Sequence, residues 1–593
     1  MDDASPNAME SPLAEPASFQ SRLSGTLRNL TTYDGWVGDY DYKSLCMPRI
    51  PFFRSTRKSR SVYFGIKEHL PVLVAALMGF QHALAMIGGV IAVPRILSGG
   101  GNSNLQLDSV DAAYLISTAL VVSGLASWIQ IVRIKLVKGY YIGTGLISMS
   151  GVSFTFLPIA QTMFSSLRAD GTCPESGPCR DAYGMWLGTI MVGALLEIGL
   201  SFIPLTLLRK AFPPLVTGVT VFLIGASLIP VGLRQWAGGT GPCFTVQQIQ
   251  DLGGEVPQLL LDTFNDCPNN FGPGDRHYPW GSAEWIGLGF FVFTIIIVLE
   301  IFGSPFMRNS QVMIGLIAGI ILAASLGYMN KDIIDAAPNL TFPLVRRFRL
   351  GFYGPAIIPV LLGYLVSTVE TLGDIAASSE ASRVATQGPE FESRIQGGLL
   401  ADGLNSLLAG LLTSSPTTTF SQNNGVIVMT RTANTTAGLW AAGWLILAGI
   451  IGKVGGVFVA LPDAALGGMT TFLFANVAVS GVRILSQLQW DRRERFILAI
   501  SLSLGLGVVV VPGAFIHFIP DTENSFANAL REGVLIILTT GYSIAALLAM
   551  LLNFIIPKED EAVSASEYSN AAKVKDLSLE EVIADPTEAR KST

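Results

Sequence analysis

Apolar stretches of membrane-span length, separated by short polar segments, fill the chain between residues 66 and 556. A helix of about 20 apolar residues crosses the roughly 30 Å hydrocarbon core of a bilayer. The pattern predicts about fourteen spans, at residues 70–94, 110–132, 141–158, 184–208, 213–233, 284–305, 310–328, 355–377, 397–413, 416–430, 437–461, 464–486, 496–516 and 533–556. We therefore expect an all-α polytopic membrane domain at 66–556, between a cytosolic N-terminal tail at 1–65 and a cytosolic, disordered C-terminal tail at 557–593.

Two short segments are rich in small polar residues: 143–156 in the third span and 416–430 in the tenth. Two halves of seven spans each have opposite orientations, because seven is an odd number. Interrupted segments at equivalent positions of such inverted repeats point to a binding site near the midplane. Each segment also carries a phenylalanine after small hydroxyl residues, Phe154 in one and Phe420 in the other. The pattern therefore predicts a buried polar site built from these two segments.

Composition agrees with a membrane protein and disfavours other classes. Half of the 593 residues are apolar and only 14% are charged, whereas soluble domains have roughly 25% charged residues. The net charge of −6 does not suggest a nucleic-acid partner. The sequence has no zinc-like His/Cys spacing, no phosphate-cradling loop and no nucleophile–base pattern. We expect a solute transporter without metal or cofactor rather than an enzyme.

Basic residues indicate the orientation of the spans, because cytosolic loops carry an excess of Lys and Arg. With the N-terminus inside, most basic clusters fall on the cytosolic side: Arg54, Arg57, Lys58, Arg60, Arg133, Lys135, Lys138, Arg209, Lys210, Arg308, Arg492, Arg493 and Arg495. One loop disagrees, since Arg346, Arg347 and Arg349 fall outside. The pattern predicts that both termini are cytosolic.

Four of the five cysteines fall in predicted outside loops, namely Cys173, Cys179, Cys243 and Cys267. Disulfides persist on the oxidising side of a membrane, and four cysteines allow three pairings. Cys173–Cys179 is the local candidate, which leaves Cys243–Cys267 as the second pair. Four free thiols are the alternative.

Five acidic residues lie within predicted spans: Glu197, Glu300, Glu370, Asp374 and Asp402. An ionisable group at the bilayer centre costs about 2.5–3.5 kcal/mol on insertion scales, so each one suggests a function. Glu300 lies near the inner end of its span, where it can reach the interface. For Glu197, helix packing and coupling to transport both stay open.

Glu370 and Asp374 are four residues apart and therefore share one helix face. Ser378 extends that face by a turn, and Asp402 with Asn405 marks the next span. Two carboxyl groups on one buried face do not both ionise readily, so at least one is expected to hold a proton near neutral pH. Such a pair suits a proton-coupled carrier, and the alternative is a structural hydrogen-bond network.

The segment after Phe420 begins a short helix with Gln422 and Asn423. Helix N-termini present unpaired N–H groups and a positive dipole end to a ligand. A glutamine amide both donates and accepts hydrogen bonds, a carboxylate such as Glu370 accepts from adjacent ring N–H groups, and a phenylalanine stacks on a flat ring. The set therefore favours a planar heterocycle, whereas mere capping of the helix by Gln422 and Asn423 is the alternative.

Gln81 and His82 lie within the first span. They serve either packing and hydrogen bonding or proton coupling, and the sequence leaves both roles open.

Several motifs resemble the nucleobase–ascorbate transporter family. Residues 421–431, with Gln422, Asn423 and Thr430, resemble its signature Gln/Glu/Pro-Asn-x-Gly-x4-Thr-Arg/Lys/Gly. Residues 80–86, 370–374 and 394–403 resemble further family segments. With Gln first in the signature and Asp39-Tyr-Asp-Tyr in the tail, the chain looks most similar to fungal uric acid–xanthine permeases.

The resemblance implies fourteen helices in two inverted seven-helix repeats. A core domain of spans 1–4 and 8–11 would slide against a gate domain of spans 5–7 and 12–14, as an elevator, in a homodimer. The family pattern implies that Glu370 and Gln422 hold the substrate, helped by Phe420 and by the backbone at Phe154 and Ser421.

The resemblance also implies supporting roles in transport or coupling and a specificity filter. The supporting residues are Asp402, Asp374, Asn423, His82, Gln81 and Thr430. The filter would use Arg495, Thr540 and Tyr542. A tyrosine stands at the last of these positions where the family pattern has phenylalanine, which leaves the range of substrates open.

The sequence-based hypothesis is therefore proton-coupled uptake of uric acid and xanthine across the plasma membrane. The expected partners are a small purine, protons, the lipid bilayer and a second copy of the chain. Alternatives are a carrier of another nucleobase, such as uracil or a hypoxanthine-like base, an inorganic anion transporter of the same fold, and a transporter-like sensor.

Overall fold

The structure is a computed structural model of the chain. It describes residues 32–37, 42–47 and 63–557, except 102, 137–138, 175–176, 212, 240–277, 344–346, 512, 516 and 521–524. Most of the two predicted tails, together with Cys243 and Cys267, lies outside the described residues.

The described chain is almost entirely helical. The helices are α1 Tyr33–Trp36, α2 Tyr42–Cys46, α3 Val72–Ser98, α4 Ser109–Ile131, α5 Leu157–Ala169, α6 Arg180–Leu200, α7 Leu205–Ala211, α8 Pro214–Trp236, α9 Ala283–Phe302, α10 Pro305–Asn309, α11 Gln311–Ser325, α12 Lys331–Ala336, α13 Ile357–Ala381, α14 Pro389–Leu411, α15 Gln422–Thr430, α16 Thr435–Ile450, α17 Gly452–Ala460, α18 Asp463–Leu485, α19 Arg492–Val510, α20 Ser525–Thr539 and α21 Gly541–Ile555. The short strands are β1 Ile134–Lys135, β2 Tyr141–Ile142, β3 Ser150–Val152 and β4 Thr417–Thr419.

Within the described residues, seven helices are long and apolar enough to cross a membrane, and the number is eight if the bent pair α20–α21 forms one span. The seven are α3, α4, α6, α8, α9, α13 with the 3₁₀ turn that precedes it, and α18. Two shorter apolar helices, α11 and α16, have 15 and 16 residues. The chain is thus an all-α polytopic membrane protein, while the number fourteen stays a prediction.

Three predicted spans each contain a break in the helix. The prediction 184–208 is interrupted between α6 and α7 at Pro204, which has no N–H for the helix ladder. The prediction 437–461 breaks at Ile451, because Ile450 O and Gly452 N bond to the backbone of Thr341 and Asn339 instead. The prediction 533–556 bends by 92° between α20 and α21.

The short third and tenth segments meet as two antiparallel strands. β3 pairs with β4 in the register Ser150↔Thr419, Gly151↔Thr418 and Val152↔Thr417. Each strand is followed by a helix, α5 after β3 and α15 after β4, so the third segment is not the helical span predicted at 141–158. Because the strands are antiparallel, the two helices leave the sheet in opposite directions, each with its N-terminus toward the sheet.

Buried hydroxyl groups hold this two-stranded sheet inside the helix bundle. Ser127 on α4 donates its hydroxyl to Ser150 O at 3.1 Å and accepts from Ser150 N at 3.0 Å. Ser406 on α14 donates to Thr417 O at 3.0 Å. The sheet is therefore fixed from both sides by α4 and α14.

The disulfide Cys173–Cys179 closes the loop between α5 and α6. This is the local pairing expected from the sequence. Cys46 is free and exposed.

In the loop that contradicts the basic-residue pattern, one of the arginines forms an ion pair. Arg347 pairs with Asp111 of α4 at 2.8 Å, and its guanidinium lies 4.9 Å from the centre of the Tyr114 ring. The orientation of this loop relative to the membrane stays a prediction.

Helices α8 and α18 pack backbone to backbone through glycines. A Cβ at Gly225 would overlap the backbone of Ala478, and a Cβ at Gly467 would overlap the backbone of Trp236. Small residues allow such close approach, which is how helices associate in lipid.

We expect Gly225→Val to destabilise the protein, since the new side chain forces α8 and α18 apart and overpacking costs about 1–3 kcal/mol. The matched control is Gly287→Val, because a Cβ at this glycine of α9 meets nothing within 4 Å. Thermal unfolding in detergent, followed by size-exclusion chromatography, measures the effect. Equal losses in the two variants would contradict this account of the packing.

Candidate functional site

Two phenylalanine rings stack directly after the paired strands. Phe154 and Phe420 have ring centres 6.1 Å apart and planes 18° apart, and Phe474 of α18 meets Phe154 edge-on at 5.4 Å. A Cβ at Gly89 of α3 or at Gly151 of β3 would lie 2.8 Å from the Phe420 ring. The ring of Phe420 is therefore held between two glycines where a larger residue does not fit.

The carboxyl groups of α13 contact both strand–helix segments. Glu370 accepts from the Thr155 hydroxyl, which lies 3.2 and 3.3 Å from its two oxygens. Asp374 accepts from the Thr419 hydroxyl at 2.9 Å. Thr155 follows β3 and Thr419 ends β4, so the shared face of α13 lies across the place where the segments meet. Neither threonine was singled out from the sequence, although both lie in the two segments with many small hydroxyl residues.

The first turn of α15 extends toward two neighbouring helices. Asn423 is buried, and its Oδ1 lies 2.8 Å from Nδ1 of His82 on α3. Asn424 Oδ1 accepts from the Ser378 hydroxyl of α13 at 2.6 Å. These contacts fix the turn that carries Gln422.

Gln422 itself is half-buried, and within the described part of the chain no hydrogen bond occupies its amide. Ser421 stands at the N-cap of α15 without a side-chain capping bond. The described side chains of the first turn thus make no capping bond at Ser421, and the role of Gln422 in holding a substrate stays a prediction.

Gln81 is buried beside His82 on α3. Among the described residues, both polar atoms of the Gln81 amide and Nε2 of His82 have no hydrogen-bond partner. His82 thus contacts Asn423 through Nδ1, while its Nε2 and the Gln81 amide are buried groups that can form further hydrogen bonds.

Asp402 lies fully buried on α14. Its Oδ2 accepts from the Thr371 hydroxyl at 2.6 Å and lies 3.5 Å from the hydroxyls of Ser367 and Thr418. Asn405, one turn later, donates to Ala126 O at 3.0 Å. Asp402 therefore contacts the same strand β4 as Asp374, through the preceding threonine.

The residues proposed as a specificity filter lie at different distances from this site. Tyr542, buried at the start of α21, donates its hydroxyl to Thr155 O at 2.8 Å. Thr540 occupies the break before α21 and donates to Ile536 O at 2.6 Å. Arg495 is exposed in the first turn of α19 and donates to Asp491 O at 3.3 Å. Tyr542 thus borders the site, whereas the described contact of Arg495 stays within its own segment.

Thr430 of the signature supports the backbone of α15. Its hydroxyl donates to Val426 O at 2.7 Å, one turn back. The next residue, Arg431, adopts the left-handed conformation with φ 56° and ends the helix. Thr430 therefore stabilises the end of α15, and its supporting role in transport stays a prediction.

The arrangement suits a flat, polar, uncharged ligand. Two half-helix N-termini, two carboxyl groups, a free amide and a fixed aromatic ring lie around one short sheet. Within the described residues, no group of three or more His, Cys, Asp or Glu side chains is placed to hold a metal ion.

Comparisons with known proteins show the family of the chain. A family model described as "Permease family" matches residues 74–265 and 258–514. A purine permease of Emericella nidulans is 43% identical over 566 residues, which are 94% of this chain and 94% of that protein. The uric acid-xanthine permease of the same fungus is 44% identical and covers 92% of both chains.

A more distant relative is the xanthine permease XanQ of Escherichia coli. It is 33% identical over 494 residues, which are 83% of this chain and 93% of XanQ. The match to the family model covers most of the membrane domain. The chain therefore belongs to the nucleobase–ascorbate transporter family of permeases, and it is a transporter rather than an enzyme.

Proposed function

We propose that the protein is a proton-coupled symporter that carries uric acid and xanthine across the plasma membrane. The observation that carries the proposal is the placement of Glu370, Gln422 and Phe420 around the β3–β4 sheet. The names of the fungal relatives, a purine permease and a uric acid-xanthine permease, point to the same cargo.

Each group around the sheet matches one feature of an oxidised purine. The Gln422 amide both donates and accepts, so it pairs with a neighbouring N–H and C=O of the ring edge. The Glu370 carboxylate accepts from ring N–H groups through the lone pairs that the Thr155 hydroxyl, 3.2 and 3.3 Å from its two oxygens, leaves unoccupied. The Phe420 ring stacks on the flat base, and the free N–H groups of the half-helices are donors for a remaining carbonyl.

Proton coupling is supported by what holds the acids. Glu370 and Asp374 are bonded by neutral threonine hydroxyls, and no described Lys, Arg or His forms an ion pair with either. The charge of this face therefore depends on protons, and a proton that enters with the substrate lowers the cost of burying the acids. An inorganic anion such as sulfate has no ring N–H to donate to these carboxyl groups, which disfavours that alternative cargo.

An elevator movement is proposed on the division of the helices into two groups. The core would contain α3–α6 and α13–α17, and the gate would contain α8, α9, α11 and α18–α21. A second copy of the chain would hold the gate in place as a homodimer, with both termini in the cytosol. Contacts that join the proposed groups include the Tyr542 hydroxyl to Thr155 O, the edge-on packing of Phe474 on Phe154, and the ion pair of Arg95 with Asp463 at 2.7 Å.

We expect cells that lack their own purine carriers to take up radiolabelled xanthine when they express this protein. Uptake should saturate, rise as the external medium is acidified, and be inhibited by unlabelled uric acid. Sulfate and ascorbate should not compete. Strong inhibition by uracil would instead indicate a carrier of another nucleobase, and strong inhibition by sulfate would indicate an anion transporter. Binding of xanthine without flux in proteoliposomes would indicate a sensor.

We expect Gln422→Ala to weaken xanthine binding by about tenfold or more, since a lost or unpaired buried hydrogen bond costs about 1–3 kcal/mol. Gln487→Ala, an exposed glutamine in the loop after α18, is the matched control and should leave binding unchanged. Competition uptake at equal surface expression measures both. Similar affinities in the two variants would remove Gln422 from the site.

We expect Asp463→Asn and Arg95→Gln to slow transport, because the largely buried pair stabilises only the conformation in which core and gate have this contact. Breaking a buried ion pair costs about 3–5 kcal/mol, which shifts the balance between conformations. The double variant Arg95→Asp with Asp463→Arg should recover part of the rate. The initial rate of uptake is compared with equilibrium xanthine binding. Unchanged rates in both single variants would contradict a movement of core against gate at this ion pair.

A further inference from the structure

Glu197 is the buried acid that the proposed transport cycle has not used. It lies one turn before the end of α6, and its side chain is 0% exposed. Within the described residues, neither carboxyl oxygen has a hydrogen-bond donor. An ionised carboxylate in this position would bury a charge without compensation, at a cost of several kcal/mol.

The partner of Glu197 is a second carboxyl group. A Cβ at Gly403 of α14 would lie 2.8 Å from Ile198 N, so the two helices touch through their backbones at this level. The neighbouring residues Glu197 and Asp402 therefore lie next to each other where the two helices touch. Asp402 is also 0% exposed, and its Oδ1 has no donor among the described residues.

Neutral hydroxyl groups complete the surroundings of this pair. Thr371 and Ser367 of α13 and Thr418 of β4 surround Oδ2 of Asp402.

The titratable groups that face the pair are acids and a tyrosine. Glu370 and Asp374 on α13 add negative charge, while the Tyr364 hydroxyl donates to Ile190 O on α6. No ion pair of the described chain includes Glu197 or Asp402.

A hydrogen bond between two carboxyl groups requires a proton on one of them, since ionised carboxylates only accept. With one proton, the O–H of one group donates to an oxygen of the other, and a single negative charge is spread over the pair and the Thr371 hydroxyl. Two ionised groups at this distance would repel each other in a medium of low dielectric constant.

We propose that Glu197 and Asp402 form a carboxylic acid–carboxylate pair that binds one proton, as a proton site of its own behind the substrate face of Glu370 and Asp374. Strand β4 connects this proton site to the substrate face. Its Thr418 contacts Asp402, and its Thr419 contacts Asp374. The link between this site and transport rests on the proposed symport, whereas the shared proton itself does not.

The shared proton is tested without substrate. Infrared spectra of the purified protein near neutral pH are compared for wild type, Glu197→Gln, Asp402→Asn and Glu300→Gln. We expect the band of a protonated, buried carboxylic acid to change in the first two variants and to stay in the third, whose exposed acid lies on α9. An unchanged band in both Glu197→Gln and Asp402→Asn overturns the pair. If Glu197→Gln does not fold in detergent, the infrared spectrum of Asp402→Asn alone decides whether the pair holds a proton.

The link to transport is tested in proteoliposomes with xanthine. An imposed gradient of one pH unit supports about tenfold accumulation for each coupled proton. We expect Glu197→Gln to keep xanthine counterflow, which needs no net proton movement, and to lose about this tenfold accumulation, while Glu300→Gln keeps both. A merely structural role of Glu197 would instead lower counterflow and accumulation together, and would overturn the link.

The two proposals fail in different ways. If wild type binds no xanthine, the proposed cargo is wrong, yet the infrared comparison still decides whether the pair holds a proton. If wild type accumulates xanthine with the gradient and Glu197→Gln accumulates it equally, the symport stands and the role of Glu197 in it is overturned.

Discussion

The antiparallel pairing of β3 with β4 is the interaction on which the rest of the site depends. Inside a bilayer every backbone N–H and C=O needs a partner within the protein, so non-helical chain survives there only where it is enclosed. Each three-residue strand supplies hydrogen-bond partners for backbone groups of the other, and serine hydroxyls of α4 and α14 bond further backbone groups of the two strands. This enclosure lets two helices begin in the interior of the bundle, with their N-termini available.

The same pairing explains how the acids are positioned. Thr155 lies just beyond β3, and Thr418 and Thr419 lie in β4, so their hydroxyls reach Glu370, Asp402 and Asp374. Hydroxyl groups can accept as well as donate, and so they tolerate a carboxyl group with or without its proton. An arginine in the same place would favour only the ionised form. The structure thus leaves the charge of the site free to change.

Much of this could be predicted from the sequence, because the signals were local. The membrane domain followed from apolar stretches, and the two unusual segments from their many small hydroxyl residues. Glu370, Asp374 and Gln422 were recognised from spacing and motif. The strand pairing could not be predicted, since each strand has three residues and its partner lies more than 260 residues away. The breaks at Ile451 and Thr540 escaped because the apolar runs on the two sides of each break together have the length of one span.

The glycines around Phe420 have a consequence for how the protein selects its cargo. A ring that is clamped by Gly89 and Gly151 has lost its freedom before any ligand arrives, so stacking on it requires no further ordering. Under the proposed role of Phe420, such a surface would favour thin molecules over puckered or bulky ones, whatever polar groups they carry. The shape of a molecule would then limit its access to the site before its hydrogen-bonding groups come into play.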